Sequence, residues 1–260
     1  MRRFAYCAAV AAAALTATSG CGGNDSGDDT AASASSPLAT TSALAAAYTN
    51  TINAGSAALT FRGDVTEGTA VTHVNGKGQV SFKPPASTVT YTGKGTTNEI
   101  RSIGDTTYVR IAGKGWSEID TSAMTGGDAS SSTTPTMGLA FLGGATAASP
   151  IGTTTIRGDD ATGYRVTVDL NKVADAQRTP AEQQIYRSLA KVTGATTLPI
   201  DVWLDSHQRV TRERYGVSFA GSGKGSGTRT SITMDLYDFG SPVRVTPPPH
   251  SRVTDTAGPK

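Results

Sequence analysis

The sequence has 260 residues, of which 37% are hydrophobic, 17% charged and 6% aromatic, with 30 Gly and 12 Pro. That Gly and Pro content falls short of the roughly 25–30% of a low-complexity chain, which excludes a collagen, a coiled coil and a wholly disordered protein. With 23 Lys plus Arg against 21 Asp plus Glu, no uniformly basic surface is available for counterion release, so no nucleic-acid partner is expected.

The first segment is an address. Met1-Arg2-Arg3 is a positive start, Phe4 to Leu15 an Ala-rich apolar stretch, and Thr18-Ser19-Gly20 a run of small residues before Cys21. This resembles a bacterial lipoprotein signal, with Thr18 standing where Leu is commonest. In such signals the peptide is cut before the cysteine, whose thiol carries diacylglycerol by a thioether. An ordinary secretory signal cut in the Ala-rich region is the alternative, and Arg2-Arg3 leave the export route, Sec or Tat, open. The only other cysteine, Cys7, lies inside the apolar stretch, so the mature chain would have no disulfide and no cysteine-built metal site. Losing residues 1–20 leaves 21 basic against 21 acidic side chains. No later segment has the roughly 18 uninterrupted apolar residues of a membrane-spanning helix. Membrane attachment is therefore expected through lipidated Cys21, on the outer face of the cell membrane.

Residues 21–40 are expected to be anchor and tether: Gly22 to Thr40 is almost all small or acidic and lacks apolar periodicity. One domain is expected over 41–249, with a tail at 250–260. It opens on a helix capped at Thr41-Ser42, with Leu44, Tyr48 and Ile52 on one stripe and a stop at Asn53-Ala54-Gly55. From Ala57 the period becomes two, with Leu59, Phe61 and Val65 alternating with polar residues. Short runs follow at 78–83, 88–92, 98–103, 106–112 and 116–119, the spacing of an antiparallel meander. Gly104-Asp105 suits a type II′ hairpin turn. Ser122 to Thr136 reads as a loop leading to a short helix at Met137 to Phe141. Strands are expected again at 153–158 and 164–170. Thr179-Pro180-Ala181-Glu182 then caps a second amphipathic helix, and closing strands follow at 200–204, 209–219, 228–237 and 243–246. The sum is an α+β fold, a curved antiparallel sheet of about ten strands with two or three helices.

Several stretches carry a resemblance: Val80-Ser81-Phe82 before Pro84-Pro85, Tyr108-Val109-Arg110, Gly115-Trp116, Leu198-Pro199-Ile200-Asp201-Val202-Trp203-Leu204-Asp205, and Asp238-Phe239-Gly240-Ser241-Pro242-Val243 with Thr246-Pro247-Pro248. In this order, behind a lipobox and tether, the chain resembles the actinobacterial lipoproteins of the LppX, LprG and LprA family over nearly all of Ser42 to Pro249. That family is similar in fold to LolA and LolB. The resemblance implies a half-barrel sheet wrapped around helices, with an apolar cavity that holds the acyl chains of a lipid or glycolipid. By alternation, Leu59, Phe61, Val80, Phe82, Val89 and Tyr91 would face inward and Leu44, Tyr48 and Ile52 would cover them. These nine are the candidate ligand-binding residues. Taken singly, each is equally a core residue.

No enzyme is expected. Asp201, Asp205, Asp235 and Asp238 lie in the closing strands with nothing fixing a catalytic separation. His73, His207 and His250 have no ligand spacing, and no G-x-S-x-G elbow occurs. Four Gly-Lys-Gly triplets, at 76–78, 93–95, 113–115 and 223–225, read as material between strands, since none opens a helix as a phosphate loop must. Neither a cofactor nor a metal is expected. The sequence is thus read as a monomeric envelope lipoprotein that binds or carries lipid. The alternative is an envelope scaffold, adhesion or sensor module without a cavity.

Overall fold

The computed structural model describes residues 37–120, 136–219 and 227–255, all inside the unit Ser35–Lys260. Cys21, the lipobox and the loop expected at 122–135 lie outside the described residues. Helix α1 spans Pro37–Asn53 and leads into six strands: β1 Ser56–Glu67, β2 Ala70–Phe82, β3 Pro85–Gly93, β4 Thr96–Ile103, β5 Thr106–Arg110 and β6 Trp116–Asp120. Helix α2, Thr136–Ala140, runs into a 3-10 turn at Phe141–Gly144. Then come β7 Ala145–Ile156, β8 Asp159–Asp169, α3 Leu170–Asp175, α4 Pro180–Thr193, β9 Thr197–Leu204, β10 Val210–Phe219, β11 Thr228–Tyr237 and β12 Val253–Asp255.

All twelve strands join one open sheet in the order β12-β6-β5-β4-β3-β2-β1-β11-β10-β9-β8-β7. Every pairing is antiparallel except β12 on β6. The fold is α+β, as expected, and two meanders meet where β1 pairs with β11. Tight turns follow the sequence chemistry: Gly104 takes φ +57° while Asp105 stays negative, which is the type II′ pattern. Lys94-Gly95 and Arg157-Gly158 are positive at both positions, which is the I′ pattern.

The expected cap of α4 is present in full. The Thr179 hydroxyl accepts from the Glu182 N–H, and the Glu182 carboxylate accepts from the Thr179 N–H, with Pro180 in the first turn and Gly194 left-handed at the end. Helix α1 differs from expectation at both its start and its face. It begins at Pro37, inside the segment read as tether, and buries Leu44, Ala47 and Thr51, while Tyr48 is 37% exposed. Spacings of three and four residues allow either stripe. The chosen one puts small Ala47 against the fold and lets the Thr51 hydroxyl accept from the Val210 N–H. The helix therefore lies over β7, the 3-10 turn and β10, and its last residue, Asn53, accepts from the Lys83 ammonium beside Phe82.

The end of the chain also differs. Val243 to Thr246 forms no strand. Residues 238–252 run as a strap over the outer face of β1 to β6: the Ser56 hydroxyl donates to the Ser241 carbonyl, and the Arg101 guanidinium donates to the Thr246 carbonyl. The strap ends as β12 on the edge of β6, where a tail was expected. Gly76-Lys77-Gly78 is not a turn but the middle of β2. A Cβ at Gly76 would collide with the Phe61 ring, which lies across that glycine from β1.

Candidate functional site

Cross-strand partners share a sheet face, so the register sorts the residues. One inner row runs Val202, Glu213, Met234, Phe61, Gly76, Tyr91 and Asn98 across β9, β10, β11, β1, β2, β3 and β4. A second runs Leu236, Leu59, Gly78, Val89, Ile100 and Val109 from β11 to β5. The helices pack over the β7, β8 and β10 side of this face. There Leu44, Leu139, Phe141, Leu142, Val166, Val173, Tyr186, Ile200 and Val202 close into one buried cluster.

Of the nine candidate lining residues, Leu44, Leu59, Val80, Phe82 and Val89 belong to that closed cluster, and Ile52 and Phe61 pack half-buried against it. Tyr91 is half-buried but outside the cluster, and Tyr48 faces solvent. The stripe of Leu44, Tyr48 and Ile52 is thus not one face, because a helix that buries Leu44 and Ala47 turns Tyr48 outward. Among the described residues the inner face continues past the core cluster at Val74, Tyr91, Ile100 and Val109, all half-buried and none in that cluster. Cys21, the lipidation candidate, lies outside the described residues.

The alternation signal missed one residue that the structure sets apart. Glu213 is 1% exposed on the inner face of β10, and neither carboxylate oxygen has a hydrogen-bond partner among the described residues. Oε2 rests against Gly138 of α2, where any Cβ would collide with it, and the Tyr215 ring lies close by. Burial pushes the Glu213 carboxyl up to about 8, because an ion in apolar surroundings loses its hydration. The sequence held the clue: Glu213 shares parity with Tyr215, Val217 and Phe219, while Arg212 and Arg214 take the other face.

Three carboxylates of the closing strands and the turn after β9, Asp201, Asp205 and Asp235, are paired with arginines. Asp201 accepts from Arg165 at 2.8 Å and also from Arg214. Burial alone raises the Asp201 carboxyl, but the bonds from both guanidiniums outweigh it and hold the group below its ordinary value. Asp235 is bridged by Arg212 and Asp205 by Arg209. Trp203, between these pairs in sequence, lies over Gly163 with Arg214 beside its ring. Acids so paired cap a sheet face and are poorly placed to move protons. The clefts among the described residues include two on the surface of the sheet's ends. One of about 390 Å³ is lined by Arg110, Lys114, Trp116 and Arg252, and one of about 410 Å³ by Arg157, Asp160, Asp205, Arg209 and Tyr237. Neither is bounded by the row from Phe61 to Tyr91. Among the described residues no cluster of His, Cys, Asp and Glu is placed to hold a metal, and no helix is long and apolar enough to cross a membrane.

No protein-family model matches the chain, and no curated protein does. Solved structures similar to it include the lipoprotein LppX of Mycobacterium tuberculosis, at 19% identity and a TM-score of 0.47 over 79% of this chain and 99% of that one. LprF of Mycobacterium bovis is 15% identical with a TM-score of 0.47, covering 82% and 99%. A LolA superfamily protein of Nitrosomonas europaea is 12% identical with a TM-score of 0.29, covering 76% and 90%. The solved structures that the chain is similar to thus include the group its sequence motifs resemble, and likeness at this level says nothing of what the chain binds.

Proposed function

We propose that this chain is an exported, lipid-anchored protein of the cell envelope that holds the acyl part of a lipid or glycolipid on the inner face of its sheet. It is a binding protein rather than a catalyst. One observation carries the reading: Val74, Tyr91, Ile100 and Val109, half-buried on the inner face in neighbouring cross-strand rows, continue it beyond the β7, β8 and β10 side on which the helices pack. Each methylene laid on such a face is worth up to about 0.8 kcal/mol on full burial, so even a partly covered chain binds usefully. The lipobox before Cys21 supports the location, and two acyl chains on that cysteine suffice for stable anchoring.

Two measurements test this. Ile100→Trp adds volume at the centre of this stretch, and lipid recovered by organic extraction and mass spectrometry of the purified protein should fall several-fold. The melting temperature should change by no more than about 2 °C, since a half-buried site accepts volume that a closed core refuses. Absence of lipid from the parent protein, after expression in a host that lipidates and exports it, would refute the reading. For the anchor, Cys21→Ala should move the protein from the membrane to the soluble fraction or leave it unprocessed. Full membrane retention of a processed Cys21→Ala protein would show a different attachment.

A further inference from the structure

Glu213 sits in the same cross-strand row as Met234, Phe61, Gly76 and Tyr91. From Tyr91 to Glu213 is four strand steps, about 19 Å at the ordinary inter-strand spacing, which is the reach of a common membrane acyl chain. At the Tyr91 end the row is half-open, and at the Glu213 end it is closed by α2 through Gly138. The carboxyl is the one polar side chain of the row's buried end, with Val202 and Met234 as cross-strand neighbours. A buried polar group with no partner costs roughly 1–3 kcal/mol, and a native fold keeps such a group only where something offsets that cost.

Resting on the lipid reading above, we propose that Glu213 is the polar anchor of the inner face: its carboxyl exchanges hydrogen bonds with a hydroxyl or ester group on the polar end of a single-chain lipid whose acyl part lies along the row towards Tyr91. The ligand chemistry is that of an uncharged acylglycerol rather than a fatty-acid anion or a phospholipid. Among the described residues the titratable groups that face Glu213 are Tyr215 of its own strand and Tyr186 of α4, and neither is a cation. A ligand anion would therefore meet a carboxyl with no counter-charge. The raised titration of Glu213 agrees with this chemistry, because at neutral pH the group is a carboxylic acid that both donates and accepts. Gly138 allows the approach: its bare backbone is what now rests on Oε2 and what the polar end of the ligand would displace.

The test compares the parent with Glu213→Leu and Glu213→Gln, each purified free of lipid. Diphenylhexatriene, a fluorescent hydrocarbon without hydrogen-bonding groups, reads occupancy of the apolar face, and monooleoylglycerol competes with it. All three proteins should bind diphenylhexatriene alike. Monooleoylglycerol should displace it from the parent, and from Glu213→Gln within about threefold, but about tenfold more weakly from Glu213→Leu, the worth of a lost buried hydrogen bond. Equal displacement from all three overturns the anchor while leaving the lipid reading standing. Failure of the parent to take up diphenylhexatriene overturns both. Leucine is similar in size and apolar, so a weaker Glu213→Leu cannot be put down to misfolding if its melting temperature is at or above the parent's.

Discussion

Stability of the parent protein should fall as pH rises from about 5 to 8, and Glu213→Gln should abolish most of that fall. The unfolded chain carries Glu213 at its ordinary value of 4.5, whereas the folded protein holds it near 8. Below 4.5 both forms are protonated and the group contributes no pH dependence. Between the two values only the unfolded form gives up its proton, so each pH unit favours unfolding by about 1.4 kcal/mol. Above pH 8 the penalty is complete, on the order of 5 kcal/mol. This is opposite in sign to the usual paired carboxylate, and Asp201, held low by Arg165 and Arg214, shows that usual case in the same molecule. Its contribution is lost only in acid, as pH falls through its lowered value, so the two effects separate. Urea midpoints from pH 5 to 8.5 decide the matter: parallel curves for parent and Glu213→Gln would mean that the carboxyl is solvated in solution.

Phe141→Ala should destabilise the protein by roughly 3–5 kcal/mol, lowering the melting temperature by about 6–20 °C for a chain of this size. The ring is fully buried in the 3-10 turn and meets two tyrosines edge-on, Tyr186 of α4 at 5.9 Å and Tyr215 of β10 at 5.3 Å. It joins three elements distant in sequence, so truncation leaves a cavity that no single neighbour can fill. Tyr48→Ala is the contrast: that residue is 37% exposed, and its loss should cost no more than about 1 kcal/mol. A small effect at Phe141 would mean that the turn is not docked on β10. An effect at Tyr48 as large as at Phe141 would restore the helix face first read from spacing.

The contrast between Phe141 and Tyr48 shows what sequence patterning conveys and where it stops. Strands with clean alternation, such as Tyr164 to Asp169 and Ile200 to Leu204, and the capped helix α4 were legible because local chemistry and tertiary burial agree there. The first half of β2 and most of β7 were not. Their residues are exposed, small or glycine, and their extended form comes from pairing with β1 and β8. Strand β12 has three residues and exists through β6. In α1 the error lay in counting Tyr48 as apolar stripe and passing over Ala47, since a methyl gives little hydrophobic signal but permits close approach. Of the candidate site, the inner parity of Phe61 and Tyr91 was visible in the alternation. The closure of Leu44, Leu59 and Val89 into core was not, because it depends on where the helices come to rest.

The junction of β1 with β11 decides how such a chain reaches its final state. Apart from β8 with β9 and the short β12 on β6, the other adjacent strands are joined by hairpins or short connections, whereas this pairing joins residues such as Leu59 and Leu236 from opposite ends of the domain. Local pairings form early and distant ones late, so each meander is expected to assemble first, with the facing sides of β1 and β11 still unpaired. During that interval two bare strand borders are exposed, and at sufficient concentration β11 of one molecule can pair with β1 of another instead of its own. Refolding at high concentration should therefore yield exchanged dimers, and at low concentration monomers.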